Sequence, residues 1–373
     1  MPTEYGMVEE LETVLSDKLR KAEDMINYAI RHKKGCPLKF LRINFPLSDK
    51  WQIEQMTVNK NTQDVYFNID CYIQEREAEV KQCTLNVIRT MKIHLMKFEE
   101  YRNKPITFDS FDFEFYFEFI RYLTHEYPQM RKKQVIKGLK VNTLGKTIKW
   151  LKTFLKNRMA KKIIPFMDLS NYKVVEEEVD AIYLNWKEIS AIYKLDLKND
   201  EKLEIVRDEF ILGCLTGFRF SDYSTIQPDE IRDGMLFIRQ SKTADRVVVP
   251  LRPETKAILE KYNMQMPYIS NQEFNFYIKE VAQKAGLTGQ IKFSHKRGNK
   301  IEEEVRPKYA WVMSHTCRRS FCTNEFLDGT PVTLIMAISG HKTEKAFRKY
   351  IKADALQKAE MIKKIWEGRP SII

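Results

Sequence analysis

The stretch from Asn142 to Lys162 leaves the chain little choice of local structure. Leu144, Ile148, Leu151 and Leu155 recur every three or four positions, while Lys146, Lys149, Lys152, Lys156, Arg158, Lys161 and Lys162 fill much of the remainder. Only a helix gathers those apolar residues on one side, and Asn142 is the residue type that caps such a helix. Arg131, Lys132, Lys133, Lys137 and Lys140 lead into it, with Glu126 the one acid nearby. A solvated helix mixes both signs to form pairs one turn apart, whereas here the signs are segregated. That pattern predicts a surface facing phosphates, with Arg131, Lys132, Lys133, Lys146, Lys149, Lys152, Lys156 and Arg158 as candidate contacts.

The same period recurs along the chain. Val8, Leu11, Leu15, Leu19, Ala22, Ile26 and Ala29 predict an amphipathic helix over 8–34, ended by Lys33-Lys34-Gly35. Leu85, Ile88, Met91, Leu95 and Phe98 predict another over 84–101. An aromatic run from Phe111 to Tyr122 starts with strand-like alternation but ends at helical spacing, so a helix is expected, with Asp109 or Ser110 as its cap. Leu203 to Leu215 reads as a buried helix stopped by Gly217, with Ser221 able to cap the next. Alternation marks Met235–Arg239 and Arg246–Leu251 as antiparallel strands after the Asp233-Gly234 turn. Residues 36–64 fit strand and loop equally well, and the charged segment 291–309 fits an exposed hairpin or loop.

These elements imply a mainly α chain with a small antiparallel β hairpin or sheet. The expected divisions are 1–64, of unclear role; a helical domain over 65–164; a linker over 165–182, where Pro165 precedes Glu176-Glu177-Glu178; a second domain over 183–354, opened by the Asn185-x-x-Glu188 capping pattern; and a tail helix over 355–373. A hydrophobic fraction of 43% in 373 residues allows a real core in each domain. A formal charge of +12 agrees with a polyanionic partner. No apolar run is long enough to span a membrane and the first residues lack a signal pattern, so a cytosolic protein is expected. The six cysteines form no CxxC pair; a zinc site from His315, Cys317, Cys322 and His341 would have unusual spacings, and no metal is expected.

Chemistry concentrates between Ser314 and Lys352. If 315–323 is helical, His315 and Arg318 share a face and can converge on one anion, with Gly340-His341 and then Tyr350 following. Upstream, Arg219 sits beside the helix break at Gly217, with Asp222 placed to orient it, and Lys242 sits at the tip between the two strands. Paired guanidiniums suit a phosphate because each is planar, bidentate and permanently charged.

Leu215-Thr216-Gly217-Phe218-Arg219-Phe220-Ser221-Asp222, then Ser241-Lys242-Thr243 with Val247-Val248-Val249-Pro250-Leu251, then His315-x-x-Arg318, Gly340-His341 and a tyrosine nine residues on resemble, in order, the active site of the tyrosine recombinases, the phage integrase family. The likeness runs from about residue 183 to residue 352, and Arg306-Pro307-Lys308-Tyr309 with Ser314-His315-Thr316 resembles the Bacteroidetes mobile-element branch. The resemblance implies a helical core-binding domain that clamps DNA and a catalytic domain using Arg219, Lys242, His315, Arg318, His341 and the nucleophile Tyr350, with Asp222 in support. It implies cleavage through a 3′-phosphotyrosine without metal, nucleotide or other cofactor. The expected partners are double-stranded recombination sites, a homo-tetramer on paired duplexes docked through the tail helix, and accessory DNA-bending or directionality proteins. An ordinary tyrosine ionises near about pH 10, so a base must take its proton, and His315 is the candidate. Two other readings keep the same scaffold: a DNA-binding regulator that does not cut, and an enzyme like the type IB topoisomerases. Integrase, invertase and resolvase remain alternatives within the family.

Overall fold

A computed structural model describes residues 4–31, 35–45, 64–131, 134–242, 244–298 and 300–368. By contact the chain divides into two compact units, 1–177 with 296–300 and 178–295 with 301–373. The fold is mainly helical with small antiparallel sheets.

In the first unit, α1 spans Glu4–Arg31 and buries Met25, Tyr28 and Ala29. The segment that sequence left between strand and loop begins with a helix instead, α2 at Pro37–Asn44, with proline in its first turn, where a missing N–H is harmless. Residues 46–63 of that segment lie outside the described residues. Asp64 accepts from the Tyr66 and Phe67 N–H groups to start α3, Val65–Arg76. Leu85, Ile88, Met91, Leu95 and Phe98 form the buried face of α4, Gln82–Arg102, as their spacing predicts. The aromatic run is a helix, α5, Phe113–His125. Its cap is Asp112, accepting the Phe115 N–H at 2.7 Å; Asp109 and Ser110, the expected caps, lie in a short 3-10 turn before it. Phe115, Tyr116, Phe119 and Tyr122 are buried, which accounts for the aromatic density as core.

Strands β1, Pro128–Arg131, and β2, Gln134–Lys137, form an antiparallel hairpin that sequence reading missed, because four-residue strands carry too little alternation. The basic helix is α6, Val141–Ala160, with its N-cap position at Lys140, two residues before the expected cap. Asn142 does not cap it. Its side-chain amide instead pairs both ways with the Glu177 backbone, at 2.9 and 3.0 Å.

In the second unit, the Asn185/Glu188 capping box opens α7, Trp186–Tyr193. Helix α8, Glu201–Thr216, is buried without a break from Asp208 to Thr216 and ends at Gly217, whose φ of +68° a side-chain-bearing residue resists. A Cβ there would also lie 2.3 Å from the Phe321 ring. One turn follows, α9, Phe220–Tyr223, with Arg219 as N-cap; Ser221, the expected cap, lies inside the turn. Strands β3, Ile231–Arg232, β4, Met235–Arg239, and β5, Arg246–Pro250, form an antiparallel sheet in that order. Leu236 faces Val249 and Ile238 faces Val247, and all four are buried. Helices α10, Pro253–Lys261, and α11, Asn271–Lys284, precede a hairpin of β6, Gln290–Arg297, and β7, Lys300–Pro307. Helix α12, Ser314–Leu327, packs on α8. Then come α13, Val332–Ser339, α14, Glu344–Arg348, and α15, Ala355–Glu367, which starts with the Asp354/Gln357 box.

Candidate active site

Helix α12 is the spine of the site. Residues 316–318 and 320–324 are buried, so the helix is fixed on most of its circumference. Ser320 accepts the Leu184 N–H at 2.8 Å and Asn324 donates to the Leu184 carbonyl at 2.9 Å, tying it to the start of the unit. Arg318 is fully buried, its Nη1 donating to the Gly217 carbonyl at 2.9 Å. The carbonyl that ends α8 therefore orients the guanidinium. Among the described residues the buried Nε of Arg318 has no partner, and an unmet donor in such a place is expensive.

His341 follows Gly340, which ends α13 in the left-handed conformation at φ +67°. The Ser339 hydroxyl donates to the Ile335 carbonyl at 2.6 Å, so towards His341 Nδ1, 2.8 Å away, it can only accept. Nδ1 thus carries the proton, and Nε2 accepts from Arg318 Nη2 at 3.1 Å. Tyr350 lies just after α14. The Thr323 hydroxyl donates to its carbonyl at 3.1 Å, and Phe347 beneath it is buried. The Tyr350 hydroxyl is 2.9 Å from His315 Nε2, and its ring is 5.3 Å from the Arg318 guanidinium carbon.

Burial and then the positive charges of Arg319, Arg318, Arg219 and Lys242 push the His315 imidazolium down to about 4. Burial, Arg318, Arg219 and His315 push His341 down to about 3. Both rings are therefore neutral near neutral pH, and in the 2.9 Å contact between His315 Nε2 and the Tyr350 hydroxyl either group can be the donor.

Arg219 is half-buried at the start of α9, with Nη1 donating to Gln240 Oε1 at 2.9 Å. Asp222 does not orient it, contrary to the sequence expectation. Its Oδ1 accepts the Ser241 N–H at 2.9 Å, and among the described residues its buried Oδ2 has no partner. The carboxylate anchors the strand end immediately before Lys242, which is exposed beyond β4. His315, Arg318, His341 and Tyr350 are in direct contact, and Arg219 and Lys242 are near enough for their charges to act on His315.

Two neighbours escaped the sequence reading. Arg319 is half-buried and its charge is the largest of those acting on His315; its signal was the doubled arginine after Cys317. Gln240 is buried at the base of the Lys242 loop, one residue before the quoted Ser241-Lys242-Thr243, and no sequence signal marked it. Cys317 and Cys322 are core residues, with the Tyr223 hydroxyl 3.7 Å from Cys317 Sγ. Among the described residues, no group of three or more His, Cys, Asp or Glu side chains is placed to hold a metal.

Among the candidate phosphate contacts of the first unit, Lys146, Lys149 and Lys156 are exposed on α6 and Lys152 is half-buried, donating to the Tyr172 carbonyl at 2.6 Å. Lys132 and Lys133, and the side chain of Arg131, lie outside the described residues. Arg158 must be struck from the set. It is 1% exposed, pairs with Glu75, and lies over the Tyr72 and Phe154 rings. Position 158 continues the stripe 144, 148, 151, 155, so the helix period carries it into the core despite its charge.

No curated protein matches the whole sequence closely enough to count as a relative. Solved structures do resemble it. A lambda integrase dimer bound to a COC′ core site has 16% identity, covering 86% of this chain and 87% of that one, with a TM-score of 0.56. A lambda integrase tetramer bound to a Holliday junction has 16% identity, coverage of 86% and 88%, and a TM-score of 0.56. The Tn1549 transposon integrase in complex with a circular-intermediate DNA has 15% identity, coverage of 81% and 100%, and a TM-score of 0.55. At such identity the likeness is one of fold. The phage integrase SAM-like domain matches residues 64–174, and the phage integrase family domain matches residues 182–357. With both halves matched in order along one chain, the protein belongs to the phage integrase family, the tyrosine recombinases.

Proposed function

We propose that this chain is a site-specific DNA recombinase that cuts and rejoins DNA through a 3′-phosphotyrosine and serves to integrate or excise a mobile element. The observation that carries the reading is the Tyr350 hydroxyl, 2.9 Å from a neutral His315 Nε2 and beside a buried arginine with an unmet donor. Phosphate binding would set the phosphorus between Tyr350 and the donors of Arg219 and Arg318. The Tyr350 oxygen attacks it, and His315 Nε2 takes the phenolic proton. The bond to the 5′ oxygen breaks, and the Lys242 ammonium, on its exposed loop, gives that oxygen a proton. Charge growing on the non-bridging oxygens meets the guanidinium donors of Arg219 and Arg318. A 5′ hydroxyl from a second duplex then attacks the phosphotyrosine and returns the proton path. The ester retains the energy of the broken linkage, so neither nucleotide nor divalent metal enters the balance.

The reading extends to assembly. The exposed lysines Lys146, Lys149 and Lys156 on α6 would meet the DNA backbone from the helical domain. Helix α15 has no buried residue and exposes Leu356, Ile362, Ile365 and Trp366, a face suited to a neighbouring copy. The solved tetramer of lambda integrase on a Holliday junction supports a four-copy complex here.

The test is to express wild type and Tyr350→Phe in cells carrying the native flanking DNA, isolate protein under denaturing conditions, and sequence attached DNA. A 3′-linked adduct present with wild type alone, formed also in EDTA without ATP, is expected. Adduct formation by Tyr350→Phe, or salt-sensitive binding with no adduct from either form, would overturn the reading.

A further inference from the structure

Gln240 is a neutral side chain in a strongly cationic site, and it is 1% exposed. Its backbone closes the loop that carries Lys242, the N–H donating to the Asp245 carbonyl at 2.9 Å and the carbonyl accepting from the Ala244 N–H at 2.8 Å. Its side chain reaches two other parts of the site. Oε1 accepts from Arg219 Nη1 at 2.9 Å, and Nε2 donates to the Ser339 carbonyl at 3.2 Å. Arginine can only donate and a carbonyl can only accept, so the amide has one orientation that satisfies both. The fit is close: a Cβ on Gly340 would fall 2.4 Å from both amide heteroatoms.

One amide therefore joins the turn bearing Arg219, the loop bearing Lys242 and the turn bearing His341. We propose that Gln240 is a positioning residue for DNA cleavage, holding Arg219 towards the phosphate and keeping the Lys242 loop in register with His341. The inference rests on the proposed reaction and adds to it a residue that acts through Arg219 and the Lys242 loop. Chemistry also explains an amide here in place of a carboxylate. A glutamate would accept equally well from Arg219 but would pair with its charge and weaken its pull on a phosphate; it would also lose the donor that Ser339 receives.

The test uses the full chain and a duplex carrying the cut site identified by adduct sequencing, with single-turnover adduct formation and DNA affinity measured separately. Gln240→Met keeps volume and loses both bonds; Gln240→Glu keeps the acceptor alone. Each is expected to slow cleavage about 10- to 100-fold while DNA affinity stays within about twofold, the size of a charge-assisted hydrogen bond expressed as rate. A structural role would slow Arg219→Lys and wild type by the same factor. Positioning through Arg219 predicts that Gln240→Met in the Arg219→Lys background has less than about a third of its effect in wild type. Equal factors in both backgrounds, or full-rate cleavage by both Gln240 variants, would overturn the inference. Should Gln240→Met fail to fold, Gln240→Glu decides by the same comparison. The Tyr350→Phe control separates the two levels: if it forms adduct, the reaction itself is wrong, whereas its failure beside fast Gln240 variants removes only the positioning role.

Discussion

Lowering the pH should destabilise the catalytic unit through His315, by an amount the site geometry sets. In an unfolded chain this ring titrates near its ordinary 6.5, and in the fold burial followed by four cations brings it to about 4. A depressed folded value means that the unfolded chain binds the extra proton. The stabilisation is complete above about pH 6.5 and is lost as pH falls towards about 4. Between about pH 7.5 and about pH 5, the unfolded ring goes from mostly neutral to about thirty parts charged to one neutral, while the folded ring stays about nine-tenths neutral. The difference is worth about 2 kcal/mol from this residue. His341, pushed down to about 3 by burial, Arg318, Arg219 and, least, His315, contributes in both proteins. Urea unfolding of wild type and His315→Gln at both pH values isolates the His315 part, since the variant's lost contacts are common to both conditions. The wild type is expected to lose about 2 kcal/mol more than the variant over this interval. Equal losses would show that His315 is not held neutral by its neighbours and would remove the reason to assign it as the proton acceptor.

Three other outcomes follow from particular contacts. Reversing Lys146, Lys149 and Lys156 to glutamate should weaken DNA binding and flatten the log–log salt dependence by about 3, one unit for each lost phosphate contact; an unchanged slope would mean that this face of α6 meets no DNA. Arg158→Ala should destabilise the helical unit by about 3 kcal/mol in urea, because the buried stem and its pairing with Glu75 are lost together, yet leave the salt slope of DNA binding as in wild type. Deleting 355–373 should reduce assembly on DNA, measured by sedimentation, with the monomer still folded by circular dichroism; full assembly would assign the exposed face of α15 another use.

How much of this was legible beforehand depended on the range of the interaction concerned. Periodicity located α4, α6, α8 and the β4–β5 pair, because a helix or strand answers to which neighbours along the chain are apolar. Arg158 was legible too, since it falls on the stripe of Leu155, and a long aliphatic stem with a partner at the end allows its burial despite the charge. Helix starts were less readable. Asp109, Ser110, Asn142 and Ser221 are all capping types, but Asp112, Lys140 and Arg219 hold the cap positions, because packing of the following helix decides where the first turn begins.

The sequence by itself determined the mainly helical class, the two family domains in their order, and the residue types needed to hold a phosphate and supply a nucleophile. Those follow from local spacing and from motif order, which survive without coordinates. Only the tertiary structure decided which partner each polar group takes: Asp222 to the Ser241 N–H and not to Arg219, Gln240 between Arg219 and Ser339, and Tyr350 against His315. Each of those choices joins residues far apart in the chain. A hydrogen bond depends on a few tenths of an ångström and on direction, and both are fixed by how α8, α12 and the β4–β5 hairpin pack.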